Sequence, residues 1–257
     1  MHFTKILNQE FQQKLNENFP SIPGGTENLA PYLYFLIKIL KPLKILEIGA
    51  GHSSVFFAKA LADNKEELKF DHELINIEKK NVDNKLLHRK KILNENYNYT
   101  SYDPKIYIID NFSKKDDPTA NPVKKALNDL QLNNLVEFHE ANAFNFKELK
   151  NIIDPIKPLD FVFLDLAAGH SLPILYKFIY PFVHPLGGHI IVHSTLTNAI
   201  HRLWLADLKL KQKISNDFEI MSFYEPNKIF QNSFTLIQKN EETFNGEFYP
   251  PVFTPNP

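Results

Sequence analysis

The stretch Leu46-Glu-Ile-Gly-Ala-Gly-His-Ser-Ser-Val55 sets two glycines around Ala50, after a β-branched run and ahead of an amphipathic segment. Gly49 and Gly51 allow a tight turn and the close approach of a ligand with no Cβ in the way. A helix opening after such a turn leaves N–H groups free for an anionic group, and Ser53 and Ser54 suit a helix cap or a ligand carboxylate. Glu47 stands two residues before the first glycine. It would repel a pyrophosphate and suits a ligand bearing an ammonium or sulfonium charge. Ser54 also occupies the third glycine position of a G-x-G-x-x-G turn, which weakens a dinucleotide clamp. The same residues also read as a plain strand-to-helix turn with Glu47 in a salt bridge.

Further acids and histidines close other apolar runs. Asp110 ends Lys105-Ile-Tyr-Ile-Ile-Asp, Asn142 and Ala143 follow Leu135-Val-Glu-Phe-His-Glu140, and Asp165 ends Leu159-Asp-Phe-Val-Phe-Leu-Asp. His193 ends Gly188-His-Ile-Ile-Val-His, and His170 lies in the loop after Asp165. In an open parallel sheet, ligands bind beyond the carboxyl ends of the strands, and a strand-end carboxylate there accepts from ribose hydroxyls. Two acids compete for that role, Asp110 and Glu78 of Leu74-Ile-Asn-Ile-Glu. A crossover needs one helix and short loops. Asp110 is followed by a single helical stretch before the next run, so it is the better choice. Asn142 has an amide that can both accept and donate, or it caps a helix beginning near Phe144. A histidine suits general-base work at working pH, and His193 is the first candidate for it, His170 the second. Asp165, His170 and His193 together could form a two-histidine, one-carboxylate metal set, but nothing in their spacing demands a metal.

These residues need elements to position them. Short β-branched runs alternate with helical stretches at 27–40, 54–62, 121–132, 172–182 and 199–211, the signature of a parallel sheet built from βαβ units. Two closing runs, Phe218 to Tyr224 and Ser233 to Gln238, read as an antiparallel pair. The expected architecture is a doubly wound, Rossmann-like α/β fold with a seven-stranded, mostly parallel sheet and helices on both faces. A helical cap (1–42) precedes the sheet domain (43–240), an insertion spans about 64–104, and an extended Pro-rich tail covers 241–257. His184 and His189, at the amino end of the fifth run, read as structural.

The whole-chain numbers exclude several classes. The 257 residues carry no cysteine, which removes disulfides, thiolate nucleophiles and iron–sulfur clusters. Net charge is −1, so no overall field draws nucleic acid or an anionic membrane. The most apolar stretch, Tyr32 to Leu46, is broken by Lys38, Lys41, Pro42 and Lys44 and is not expected to span a bilayer. A cytoplasmic protein is the expectation.

Leu46-Glu-Ile-Gly-Ala-Gly-His-Ser-Ser resembles the first motif, E/D-x-G-x-G-x-S, of the class I S-adenosylmethionine-dependent methyltransferases. The segment Thr26 to Pro42 resembles the preceding helix in their small-molecule O-methyltransferases of the catechol and caffeoyl-CoA type. Val136-Glu-Phe-His-Glu-Ala-Asn-Ala, Leu159-Asp-Phe-Val-Phe-Leu-Asp and Gly187-Gly-His-Ile-Ile-Val-His-Ser resemble V-E-x-x-x-G-D-A, F-D-F-V-F-I-D and G-G-L-I-V-V-D-N. Each match is loose; their order over about residues 22–240 makes the set specific. The resemblance implies S-adenosyl-L-methionine as cofactor and methyl transfer to a small-molecule acceptor, with a preference for oxygen. It implies cofactor contacts from Glu47, Gly49, Ala50, Gly51, Ser53, Ser54, Asp110, Asn142, Ala143 and Asp165. In the catechol type, the strand-four acid and a following Asp-Asn pair hold magnesium. Here that pair reads His193-Ser194, so no metal is expected. A nicotinamide-dependent oxidoreductase and a non-catalytic cofactor- or partner-binding member are the alternatives. The amphipathic N-terminus and the tail are candidate dimer elements, and the aromatic residues Phe19, Tyr32 and Tyr34 a candidate roof.

Overall fold

A computed structural model describes residues 7–19, 26, 28–78, 102–111, 120–215, 217–228 and 231–240, with side chains through 69 in the 28–78 stretch. Seven strands form one sheet in the order β3-β2-β1-β4-β5-β7-β6. They are β1 (Lys44–Ile48), β2 (Lys105–Asp110), β3 (Val136–Glu140), β4 (Phe161–Leu164), β5 (Leu186–His193), β6 (Phe218–Tyr224) and β7 (Ser233–Asn240). The first five pair in parallel, and β7 runs antiparallel between β5 and β6. The expected fold class is the observed one.

Helices α1 (Gln9–Asn18), α2 (Leu29–Leu40), α3 (His52–Glu78) and α4 (Ala120–Asp129) share a core with Ile45, Ile106, Ile108, Phe161, Phe163 and Ile191. Helices α5 (Phe146–Ile153), α6 (Leu172–Ile179) and α7 (Ala199–Ser215) cover the other face with Leu46, Ile109, Val162, Leu164, Ile190 and Val192. The central strands are buried on both faces, which is why β4 and β5 read as continuous apolar runs. Branches leave β1 toward β2 on one side and β4 on the other, so the crevice of a doubly wound sheet opens above the β1 and β4 tips.

Three local expectations change. Helix α3 runs unbroken to Glu78, because no glycine or proline interrupts His52 to Glu78. Leu74 to Glu78 is therefore helical, and the segment from 64 begins as a continuation of α3. Asn64 there is fully buried and donates to the Ile37 carbonyl at 3.0 Å, while Glu67 pairs with Lys38 and Lys41 at 2.8 Å each, joining α3 to α2. Residues 79–101 of the expected insertion, and the tail, lie outside the described residues. The helix after β3 starts at Phe146, capped by Asn145 rather than Asn142. The α1 face offered as a dimer element packs within the chain: Phe11 and Leu15 are buried, and Phe11 meets Phe56 edge to face at 5.1 Å.

Candidate functional site

The strand tips bring four of the expected site residues onto one end of the sheet. Glu47 pairs in register with Ile108 and Phe163, Asp110 closes β2, Asp165 follows β4, and His193 closes β5. By strand alternation, Glu47, Asp110 and His193 point to the face covered by α1–α4, alongside Ile45, Ile108 and Ile191. Glu78 instead ends α3, so the strand-end acid next to the glycine turn is Asp110.

The turn itself is held from three sides. Gly49 has φ +95°, and a Cβ there would lie 2.0 Å from the Asp165 carbonyl oxygen. Its N–H donates to the Ile109 carbonyl at 2.9 Å, and the Asp165 N–H donates to the Ile48 carbonyl at 2.9 Å. The Ala50 N–H donates to Asp110 Oδ2 at 3.0 Å. Thus Asp110 already fixes the turn that would carry a ligand past β1.

Glu47 is fully buried. Ser53 Oγ donates to its Oε1 at 2.5 Å, and among the described residues Oε2 meets no donor in good hydrogen-bond geometry, although the Ser54 hydroxyl lies close enough to act on the carboxyl. Burial pushes the carboxyl up to about 8, and the negative charges of Asp165 and Asp110 add to the rise, while the Ser53 and Ser54 hydroxyls oppose it. Among the described residues Glu47 therefore has no salt-bridge partner. Ser54 Oγ accepts from the Gly51 N–H at 3.1 Å, so the two serines brace the turn and the acid in place of capping the helix in the usual way.

The second cluster is His193 with Asp165. The two approach at 2.7 Å between Nδ1 and Oδ1, and Nε2 meets the Gln231 carbonyl oxygen at 3.2 Å. His193 is buried, its side chain only 1% exposed. His170 lies apart from this pair, exposed on a short 3-10 turn at 169–171. Asn142 is exposed and accepts the Phe144 N–H at 2.9 Å, with Ala143 buried beside it.

Among the described residues no group of three or more His, Asp or Glu side chains is arranged to hold a metal ion. The donor set also does not suit magnesium, which prefers hard oxygen ligands, because the Asp165 oxygen faces an imidazole.

Sequence reasoning missed His201. It is 6% exposed, with Nδ1 3.3 Å from the Ser194 carbonyl and Nε2 3.0 Å from the Gly169 carbonyl. It thereby bridges the loops after β5 and β4. Its partners are loop carbonyls, which leave no trace in residue types.

Aromatic side chains stand beside His193. Phe234, its register partner on β7, stacks on Phe223 at 4.6 Å, and Tyr32 of α2 meets both rings at 5.3 and 5.6 Å. Asn28 Nδ2 donates to Glu225 Oε2 at 2.9 Å, fixing the start of α2 to the β6–β7 connection. Of the expected roof, Tyr32 takes this position. Tyr34 is buried and donates to Asp63 at 2.7 Å, and Phe19 packs on His52 at 4.2 Å. Trp204 meets Tyr176 edge to face at 5.2 Å in the opposite core. His189 is buried and pushed down to about 4 by that burial, in keeping with a structural place.

No protein-family model matches the chain, and no curated protein matches its sequence. Solved structures match it over most of its length. An O-methyltransferase from Streptomyces achromogenes involved in tomaymycin synthesis, in complex with S-adenosylmethionine, aligns with TM-score 0.59 at 17% identity, covering 93% of this chain and 94% of that one. An O-methyltransferase from Bacillus cereus in complex with S-adenosylhomocysteine aligns with TM-score 0.57 at 16% identity, covering 92% and 91%. An S-adenosylhomocysteine-bound methyltransferase from Podospora anserina aligns with TM-score 0.55 at 14% identity, covering 90% and 88%. The chain has the fold of the class I S-adenosylmethionine-dependent O-methyltransferases.

Proposed function

We propose that this chain binds S-adenosyl-L-methionine at the β1, β2 and β4 tips and transfers its methyl group to the oxygen of a small-molecule acceptor. The observation that carries the proposal is the packing of the Gly49 turn onto Asp165, with Glu47 buried beneath it and Asp110 clamped to Ala50. A fully buried carboxyl with one unpartnered oxygen suits a ligand that brings positive charge, as a sulfonium and an α-ammonium do. Asp110 stands where ribose hydroxyls would donate, and Ala50, Gly51, Ser53 and Ser54 line the turn. Asn142 and Ala143 follow β3 where adenine would sit, and the Asn142 amide nitrogen could donate to a ring nitrogen. The bound cofactor supplies an electrophilic methyl.

The acceptor would enter beside Tyr32, Phe223 and Phe234. Methyl transfer chiefly needs the attacking lone pair aligned with the sulfonium methyl. With bound S-adenosylmethionine supplying the methyl, the acceptor hydroxyl would have to give up its proton to a base of this chain. His193 fits that role. Asp165 accepts from Nδ1–H and leaves Nε2 as the basic atom, once the Gln231 carbonyl is displaced by the acceptor. His170, exposed in the next loop, is the outer candidate. No step runs through a metal.

A nicotinamide oxidoreductase is disfavoured by β7, which runs antiparallel between β5 and β6, and by Glu47 and Ser54 in the turn. The near-zero net charge supports a small molecule over nucleic acid, and a cytoplasmic setting belongs to the same proposal. Among the described residues no helix is long and apolar enough to cross a membrane. The division into cap 1–42, sheet domain 43–240 and tail 241–257 is retained as part of this reading.

The test is transfer of labelled methyl from S-adenosylmethionine to a panel of hydroxylated small molecules. Product that disappears with His193→Ala supports the proposal. Label transferred only to amines overturns the oxygen assignment, and no transfer to any acceptor leaves the non-catalytic reading as the stronger one.

A further inference from the structure

Helix α7 has two apolar faces. His201, Trp204, Leu205 and Leu208 point inward and are buried. On the opposite side Leu203, Leu210 and Ile214 are 72%, 60% and 87% exposed, and Ala199 and Ala206 continue the same stripe. A globular helix ordinarily keeps one apolar stripe for the core and a polar face for water. Contiguous exposed apolar side chains on a monomer mark an interaction surface.

The flanks of the stripe decide what covers it. At 100° per residue, exposed Arg202, Lys209 and Lys213 line one edge, and Lys211 and Asp207 the other, where they pair at 2.7 Å. The helix therefore presents four exposed cations against one acid, in a chain whose net charge is −1. A second copy packed antiparallel about a two-fold axis would set the Arg202, Lys209 and Lys213 edge against its own image, with like charges meeting. An anionic lipid surface meets the same edge with opposite charge, and its acyl boundary accepts the leucine and isoleucine side chains.

We propose that α7 docks the protein peripherally on an anionic membrane surface, with Leu203, Leu210 and Ile214 inserted at the headgroup boundary and Arg202, Lys209 and Lys213 facing the lipid charge. This refines the whole-chain expectation, since charge averaged over the chain conceals a local cationic edge. The association is superficial, and it does not depend on the methyltransferase reading.

Co-sedimentation of the full chain tests it, using vesicles of phosphatidylcholine alone and vesicles with about one-third phosphatidylserine, at about 0.1 M salt. The expected result is pelleting with the anionic vesicles only, weakened severalfold by salt. Leu210→Glu with Ile214→Glu should lower partitioning by at least about tenfold, because the inserted apolar area is lost. Lys209→Glu with Lys213→Glu should do the same, each removed charge alone accounting for about fivefold. All four positions are exposed, so both variants should melt with the parent, and the melting curves are measured alongside. No pelleting, equal pelleting with both vesicle types, or unchanged binding by either variant would overturn the proposal. So would a dimer by light scattering that Leu210→Glu with Ile214→Glu dissolves, which would assign the stripe to a second copy.

Discussion

Gly49 and Asp165 touch backbone to backbone: a Cβ on residue 49 would sit 2.0 Å from the Asp165 carbonyl oxygen. The glycine turn after β1 and the first residue beyond β4 therefore form one rigid object. Asp110 secures it from the β2 side through the Ala50 N–H. The strand tips are thus pre-arranged before any ligand arrives, and binding need not pay to order them.

Gly49→Ala should break this object. The positive φ alone costs about 1–3 kcal/mol for a residue with a Cβ, and the overlap with Asp165 adds to it. Thermal unfolding should show a clear drop, and titration with S-adenosylhomocysteine should show the cofactor site lost. Parent-like stability would mean that the turn relaxes freely.

Glu47 makes stability depend on pH in an unusual direction. Its carboxyl titrates at 4.5 when exposed and at about 8 when folded, so between these values the folded state holds a proton the unfolded state has released. Its contribution is therefore complete below about pH 4.5 and is lost as pH rises toward 8, by an amount on the order of a few kcal/mol. Glu47→Gln should flatten that slope in denaturant titrations across the same window. A parent and variant with parallel pH profiles would contradict the assignment.

The same acid should be linked to cofactor binding. A cation settling beside Glu47 favours its ionised form, so binding near neutral pH should release up to about one proton. Calorimetry in two buffers of different ionisation enthalpy reads this directly. Glu47→Gln should abolish the buffer dependence, and a buffer-independent parent would refute the link.

His201→Ala should loosen the loops after β4 and β5 together. Removing a buried side chain that meets two carbonyls costs about 1–3 kcal/mol. Hydrogen exchange should speed up at Gly169–Ser171 and Ser194–Leu196 relative to the sheet. Uniform exchange across both would show that the bridge carries little.

Where the sequence was legible, burial explains it. β1, β4 and β5 lie in the middle of a sheet covered on both faces, so their apolar runs stand out, and crossover arithmetic placed Asp110 rather than Glu78 at a strand end. The full extent of α3 was visible in principle, as no glycine or proline breaks His52 to Glu78. The helix from Phe146 also had a signal, since Asn145-Phe-Lys-Glu148 has the spacing of a capping box. By contrast, the lock on His193 comes from Gln231, thirty-eight positions away, and the His201 bridge comes from backbone carbonyls. Partners of that kind depend on tertiary approach alone.

Whether the β1, β2 and β4 tips hold S-adenosylmethionine is read by calorimetric titration with S-adenosylhomocysteine, beside NAD and beside Asp110→Ala. The expected result is saturable micromolar binding of S-adenosylhomocysteine, none of NAD, and a loss of at least about tenfold in the variant, as for removing hydrogen bonds to a charged acceptor. Binding of NAD instead, or S-adenosylhomocysteine binding that is absent or indifferent to Asp110→Ala, would contradict it.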